Sequence, residues 1–378
     1  GLDRKLARHQ AASACAVDEA GIEDLFPCTS LQTGLLALTV KSHGDYTGRN
    51  VRELGPSVDV HRFHVAWEEL VRTVPILRTR IIDLPGQGFV QVVIREKAAW
   101  SKARSVEEYL SHDRQFPMGL GTPLMRCGLF SCKTSDKAPG ISGSVRWSFA
   151  LTMHHSIYDG PASAMIMGTL KSLYHGETPL RLCPFQSFVK YVSSRNKEAG
   201  VKFWKSQFEG CEALQFPLLP SDSYQPKTNA TRTAVIDDIE WRTDGFTPST
   251  IIRGAFSLVC SQYAISSDVV FGTVVMGRKA PIQGTERIAG PTIATVPVRV
   301  QIKTGATIPQ FLQSIQDQER EMVLHEQTGL SNIRQVSTAA EEACRFQTLL
   351  VIQPPEQGMD DTGLFVARSA ENDEATRY

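Results

Sequence analysis

The sequence is most informative at first for what it has little of. It carries no surplus of either charge, since 40 Lys and Arg balance 40 Asp and Glu. Bulk binding to a phosphate backbone needs a basic surface, so nucleic acid is not the expected partner. Long hydrophobic runs are also missing. Leu349-Leu350-Val351-Ile352 is typical, against the ~20 apolar residues that a spanning helix requires. The N-terminal Gly1-Leu2-Asp3-Arg4-Lys5 leads into no apolar signal core. A membrane partner and export are therefore unsupported, and the expected location is cytoplasmic. The eight cysteines are scattered with no C-x-x-C pair. That spacing argues against a disulfide scaffold or a zinc site and predicts reduced, mostly buried thiols. There is no G-x-S-x-G elbow of a serine hydrolase. Gly119-Leu120-Gly121 lacks the rest of a phosphate-binding loop, so no nucleotide is implied. No internal repeat is visible.

What remains is an ordinary globular composition, 42% hydrophobic and 21% charged. At one domain per ~150 residues, the length predicts two or three lobes. Val60, Phe63, Trp67, Leu70, Val71 and Val74 fall at helical spacing, and residues 89–94 read as a buried strand. Val145, Trp147, Phe149, Leu151 and Met153 alternate with Arg146, Ser148, Ala150 and Thr152, so a strand runs into His154. Pro161 sits where a helix can begin, and Ala162, Met165, Ile166, Leu170 and Leu173 mark its face. In the second half, Thr247-Pro248 caps a helix whose apolar face is Ile251, Ile252, Ala255, Phe256, Val259, Cys260 and Tyr263. Strands are predicted at 269–275, at 292–300 (with Pro297 implying an edge or bulge) and at 346–352. Another helix carries Ile308, Phe311, Leu312, Ile315, Met322 and Val323. Gly176, Pro179 and Pro184 cluster at a boundary, giving one lobe over 1–180 and a second over 181–378. Segments 133–144 and 220–230 and the weakly periodic tail 353–378 read as loops. Interleaved strands and helices in both halves predict an α/β fold of helix-covered sheets.

The strongest local feature is His154-His155-Ser156-Ile157-Tyr158-Asp159-Gly160. Adjacent residues of a strand point to opposite faces, so one imidazole can face a cleft while the other packs inward. Histidine also moves protons most readily near neutral pH. Gly160 is expected to let the chain turn tightly into the next helix. Three readings stand at this point: proton transfer or positioning by His155, a metal held by His154, His155 and Asp159, or two histidines satisfied at a strand end. No further ligand cluster supports a metal.

The segment resembles the HHxxxDG signature of nonribosomal peptide synthetase condensation domains. That core is shared with chloramphenicol-acetyltransferase-like acyltransferases, but further segments match in order. Phe26-Pro27-Cys28-Thr29-Ser30-Leu31-Gln32-Thr33-Gly34-Leu35-Leu36 resembles the family's opening motif, and Val74-Pro75-Ile76-Leu77-Arg78-Thr79-Arg80 its second. Ile288 to Arg299 resembles the later GPxxxTxPVR segment in a fungal style; Glu326 to Leu330 and Phe346 to Leu350 also fit. The resemblance covers about residues 21 to 353.

It implies two chloramphenicol-acetyltransferase-like lobes in a V-shaped pseudo-dimer with a central tunnel. It implies amide formation by attack of an amine on a thioester tethered to a carrier protein. The partners implied are peptidyl carrier (thiolation) proteins on one or both faces and neighbouring synthetase domains. No cofactor is implied on the chain itself; the phosphopantetheine arm of the carrier brings the substrate. Position by position, His155 matches the family's key histidine, as base or orienting group, and His154 is structural. Asp159 holds the loop by an ion pair, with Arg278 as the candidate partner. Gly160 keeps the approach clear and offers its N–H near the thioester. Arg78 has a structural role. Thr73 stands where the second motif usually begins with arginine, and Pro161 where relatives carry tryptophan or valine. The second lobe is expected to be incomplete at its end.

The nearest rival is a fungal terminal condensation-like domain that releases peptide by intramolecular cyclisation. A non-catalytic condensation-like recruitment platform is the alternative of a different class. An epimerisation domain would need a second acid/base in the other lobe, and a plant-type acyltransferase a DFGWG motif that is absent here.

Overall fold

The computed structural model describes residues 4–41, 44–133, 145–213, 215–221, 224, 226, 229–237, 239, 241, 245–353 and 363–366. Of the loop assigned to 133–144, Lys133 ends a strand and the rest lies outside the described residues, as does most of the tail after 353.

In chain order the first part contains α1 (Arg4–Cys15), β1 (Ile22–Pro27), α2 (Ser30–Lys41), β2 (Thr47–Glu53), α3 (Val60–Thr73), β3 (Thr79–Leu84), β4 (Gly88–Ile94), α4 (Val106–Gln115), β5 (Met125–Lys133), β6 (Val145–His154), α5 (Gly160–His175), β7 (Cys183–Pro184) and α6 (Phe185–Ser193). Then come α7 (Lys197–Gln207), α8 (Pro248–Ala264), β8 (Asp268–Val275), β9 (Ile288–Ala289), β10 (Ala294–Gln301), α9 (Ile308–Met322), α10 (Leu330–Ile333), α11 (Thr338–Ala343) and β11 (Leu349–Leu350).

These elements form two compact units, and the chain passes between them more than once. One unit takes residues 1–195, 281–292 and 355–378, and the other 196–280 and 293–354. A single cut at 180 misses the two returning segments. The 281–292 segment returns because β9 pairs in parallel with β7, and only the folded chain reveals that pairing.

In the first unit, one antiparallel sheet runs β1-β4-β3 and a second β2-β6-β5, with β6 central. Helix α3 starts at Asp59, whose carboxylate accepts from the Arg62 N–H at 2.8 Å, supplying one of the donors a helix start leaves unpaired. Its face of Phe63, Trp67, Leu70 and Val71 is buried. Phe63 and Trp67 meet Phe149 of β6 edge-on, at centroid distances of 5.0 and 4.8 Å. Burial of each such ring stabilises by about 1.5–3 kcal/mol. The face of β6 that carries Arg146 and Ser148 is covered near the strand's end. Ala150 and Thr152 are buried, because α4 covers them and Tyr109 places its hydroxyl 2.6 Å from Thr152 Oγ1.

In the second unit, β8 lies between β10 and β11. Pro297 pairs opposite Gly272 on β10, an edge strand among the described residues, where a missing N–H is tolerated. The expected strand at 346–352 shortens to Leu349–Leu350. Phe346 instead lays its ring over Gly272, where a Cβ would come within 2.3 Å of it. Helix α8 is turned relative to expectation. Thr250, Arg253, Gly254, Ser257 and Cys260 are buried, while Val259 is 50% and Tyr263 71% exposed. Two causes override the apolar pattern. Arg253 forms a buried ion pair with Glu319 of α9 at 2.7 Å, and Gly254 lets Leu312 of α9 approach closely.

The side chains of seven of the cysteines are described, and all seven are free thiols. Cys15, Cys127 and Cys260 are buried and the other four only partly so, less burial than expected. Among the described residues no helix is long and apolar enough to cross a membrane.

Candidate active site

The site is built where β6 ends and α5 begins. Asp159 is the N-cap of α5, with Oδ1 accepting from the Ala162 N–H at 2.8 Å. Its Oδ2 accepts from the Thr292 N–H at 2.8 Å and the Thr292 hydroxyl at 3.1 Å. Asp159 is 1% exposed and Thr292 fully buried. One carboxylate thus ties the loop to the helix start and to the segment after β9. An anion there also favours the positive end of the helix dipole.

His154 is fully buried, and its contacts identify its tautomer. Thr39 of α2 donates its hydroxyl proton to the Leu35 carbonyl at 2.9 Å, so it accepts from His154 Nε2, also at 2.9 Å. On the other side Nδ1 accepts from the Ser156 N–H at 3.1 Å and lies 2.8 Å from the Ser156 hydroxyl. The ring is therefore neutral with its proton on Nε2. Burial, with the neighbouring His155, pushes its pKa down to about 4. It is a fixed structural imidazole.

His155 points the other way and is half-buried. Its backbone N–H donates to the Tyr46 carbonyl at 2.8 Å, just before β2. Tyr46 itself adopts a left-handed conformation with φ 59°, an unusual setting for a bulky side chain. The His155 ring stacks on Tyr158, with centroids 4.4 Å apart and planes inclined by 20°. The Tyr158 hydroxyl lies 3.2 Å from His155 Nε2. Burial lowers the His155 pKa, while the Tyr158 backbone and the Asp159 carboxylate oppose that shift. The imidazole is thus biased toward the neutral form able to accept a proton.

Gly160 begins α5 and is exposed. Its φ is not in the left-handed region, and a Cβ there would meet nothing within 4 Å. The tight-turn explanation for this glycine therefore fails; the space outside it is open.

Arg78 belongs to a different constellation. It is 6% exposed, and its guanidinium donates to the carbonyls of Val71 and Ile94 at 2.8 Å and to Glu23 at 2.7 Å. It closes the end of α3 against β1 and β4. Arg278 lies half-buried in the turn after β8, in the second unit. Among the described residues no group of three His, Cys, Asp or Glu could hold a metal ion.

Sequence reasoning overlooked the support beneath the loop. Gln32, fully buried on α2, donates through Nε2 to the Ser156 carbonyl and to Gln91 Oε1, both at 2.9 Å. Its Oε1 accepts from the Thr29 N–H at 2.9 Å, and Gln91 donates to the Pro27 carbonyl at 3.0 Å. Gln32 and Thr39 are seven residues apart, two helical turns, so both face the histidine loop. Two polar residues at that spacing, on either side of the apolar run from Leu35 to Leu38, were the signal available.

The family model described as Condensation domain matches residues 22–376. The chain is similar to the nonribosomal peptide synthetase ungA of Aspergillus violaceofuscus, with 41% identity over 362 residues, covering 96% of this chain and 4% of that protein. It is likewise similar to the nonribosomal peptide synthetase TES of Alternaria alternata, 40% identical, covering 96% of this chain and 7% of that protein. Similarity to the nonribosomal peptide synthetase SIDD of Beauveria bassiana is 39%, covering 94% and 19%. The chain thus spans a small part of the curated relatives it matches. Among solved structures, one described as the crystal structure of CT matches with TM-score 0.67 at 21% identity, covering 93% of this chain and 80% of that one. The starter condensation domain of rhizomide synthetase matches with TM-score 0.60 at 16% identity, covering 83% and 77%. The fold is therefore shared with these structures.

Proposed function

We propose a function from one premise: this chain belongs to the condensation-domain family. Family members form amide bonds by acyl transfer, using substrates tethered to the phosphopantetheine arms of carrier domains. Our reading is that this chain performs that step within a fungal nonribosomal peptide synthetase, with carrier domains as partners. An acceptor amine attacks the carbonyl carbon of a donor thioester. A C–N bond forms, the C–S bond breaks, and the amine proton passes by way of His155 to the departing sulfur, which leaves as the thiol.

The observation that carries this reading is the division of labour between adjacent histidines. His154 is locked neutral between Thr39 and Ser156, while His155 is half-buried on a loop braced by Asp159 and Gln32. A thioester is already activated, so catalysis needs mainly orientation and the handling of one proton. Gly160 leaves open space at the start of α5, which suits approach by an extended arm.

The test is transfer between the carrier domains of the polypeptide that carries this segment, each loaded enzymatically and read by mass spectrometry. His155→Ala should slow formation of the lengthened carrier-bound product by ~10²–10⁴-fold. Unchanged turnover would defeat the assignment and favour a recruitment role. A cyclic product formed without an acceptor carrier would replace chain elongation by cyclising release.

A further inference from the structure

The stack between His155 and Tyr158 is seated on a gap in β2. Gly48 pairs opposite Met153 of β6, and a Cβ added at Gly48 would lie 2.3 Å from the Tyr158 hydroxyl oxygen and 3.5 Å from its ring carbon Cζ. Glycine inside a strand weakens it and marks a close approach by another group. Here that group is the phenol. The hydroxyl alone is obstructed, since 3.5 Å to the ring carbon is ordinary contact.

The two rings are inclined by 20°, and the hydroxyl contact is 3.2 Å. The Tyr158 side chain thus meets His155 in two ways, through the stacked ring and through the hydroxyl beside Nε2. An electron-rich aromatic face beside an imidazole also favours the cation that proton transfer creates.

We propose that Tyr158 is a positioning residue of this site: its ring, resting above Gly48, holds the His155 imidazole in the orientation in which it meets the acceptor amine. The assignment rests on the condensation reading and deepens it. Four variants of the carrier-to-carrier transfer test it. Tyr158→Leu removes the aromatic face and should lower kcat by ~10–100-fold with KM little changed, since misplacement by about 1 Å costs rates of that order. Tyr158→Phe keeps the face and should stay within about threefold of the parent, as stacking is retained. Gly48→Ala should fall with Tyr158→Leu, because its methyl displaces the hydroxyl. Combining Gly48→Ala with Tyr158→Phe should restore the rate to near that of Tyr158→Phe alone, a non-additive rescue diagnostic of direct contact.

The stack can be read without turnover in the 378-residue chain labelled at its histidine rings. The ring-current shift of His155 should persist in Tyr158→Phe and vanish in Tyr158→Leu. A shift lost in Tyr158→Leu with kcat within twofold of the parent would overturn the positioning role. So would a Gly48→Ala variant that Tyr158→Phe does not rescue. Either result leaves the condensation reading standing on His155→Ala, whereas an inert His155→Ala would sink that reading with the stack intact.

Discussion

Each unit buries a titratable group next to one of its characteristic motifs, and the two are pushed in opposite directions. His154 in the first unit is driven down to about 4, chiefly by burial. Glu326 in the second, 5% exposed in the short turn after α9, is driven up to about 7 by burial, with Lys279 pulling the other way. Both environments favour the neutral form, since charge is costly where water is excluded. For a base this means losing a proton and for an acid keeping one. The first unit should therefore dislike acid and the second should dislike base. The same physics gives opposite pH behaviour in two halves of one chain.

The largest expected effect within this comparison comes from deleting the buried imidazole. His154→Ala removes a side chain that partners Thr39 and Ser156 and takes away the acceptor of the Ser156 N–H, while Thr39 keeps its bond to the Leu35 carbonyl. It should destabilise the first unit by ~2–4 kcal/mol, visible as faster hydrogen exchange there and not in the second unit. Comparable loss of protection in both units would break the separation drawn here.

The pH response comes next. His154, depressed from 6.5 to about 4, contributes stability that is present above pH 6.5 and lost as pH falls toward 4, about 3 kcal/mol in all. Glu326, raised from 4.5 to about 7, contributes stability that is present below pH 4.5 and lost as pH rises through 7, again about 3 kcal/mol. Hydrogen exchange at pH 5 and pH 8, corrected for intrinsic rates, should show the first unit better protected at the higher pH and the second at the lower. Glu326→Gln should sharpen this by stabilising the second unit at pH 8 and having little effect at pH 5. A variant that is destabilised equally at both values would show that the carboxyl is not the cause.

The smallest effect is expected beneath the loop. Thr39→Val keeps the shape but removes the acceptor for His154 Nε2. It should cost ~1–2 kcal/mol and leave the second unit unchanged.

The α/β class, the strand running into the histidines and the helix that follows were legible because hydrophobic periodicity and Pro161 are local signals. Asp159 was singled out in the sequence, but its work as acceptor from Thr292 was not legible there, because Thr292 lies 133 positions away in the chain. Gln32 and Thr39 showed only as polar residues two turns apart in α2, and Gln91 not at all, because their partners lie far along the chain. Helix α8 misled the reading outright. Its apolar residues are conspicuous, yet its buried face is chosen by the Arg253–Glu319 pair and by close packing at Gly254. An isolated periodicity carries no information about what a neighbouring helix offers.

The sequence by itself determined the family, the α/β class and the strand and helix that flank the histidine loop, since each depends on residues close together in the chain. Tertiary structure decided which imidazole is locked and which remains half-buried at the site, how Tyr158 comes to rest above Gly48, and where the chain passes between its two units. Those outcomes depend on hydrogen bonds and contacts between distant segments. Only the folded chain brings such groups within reach of one another.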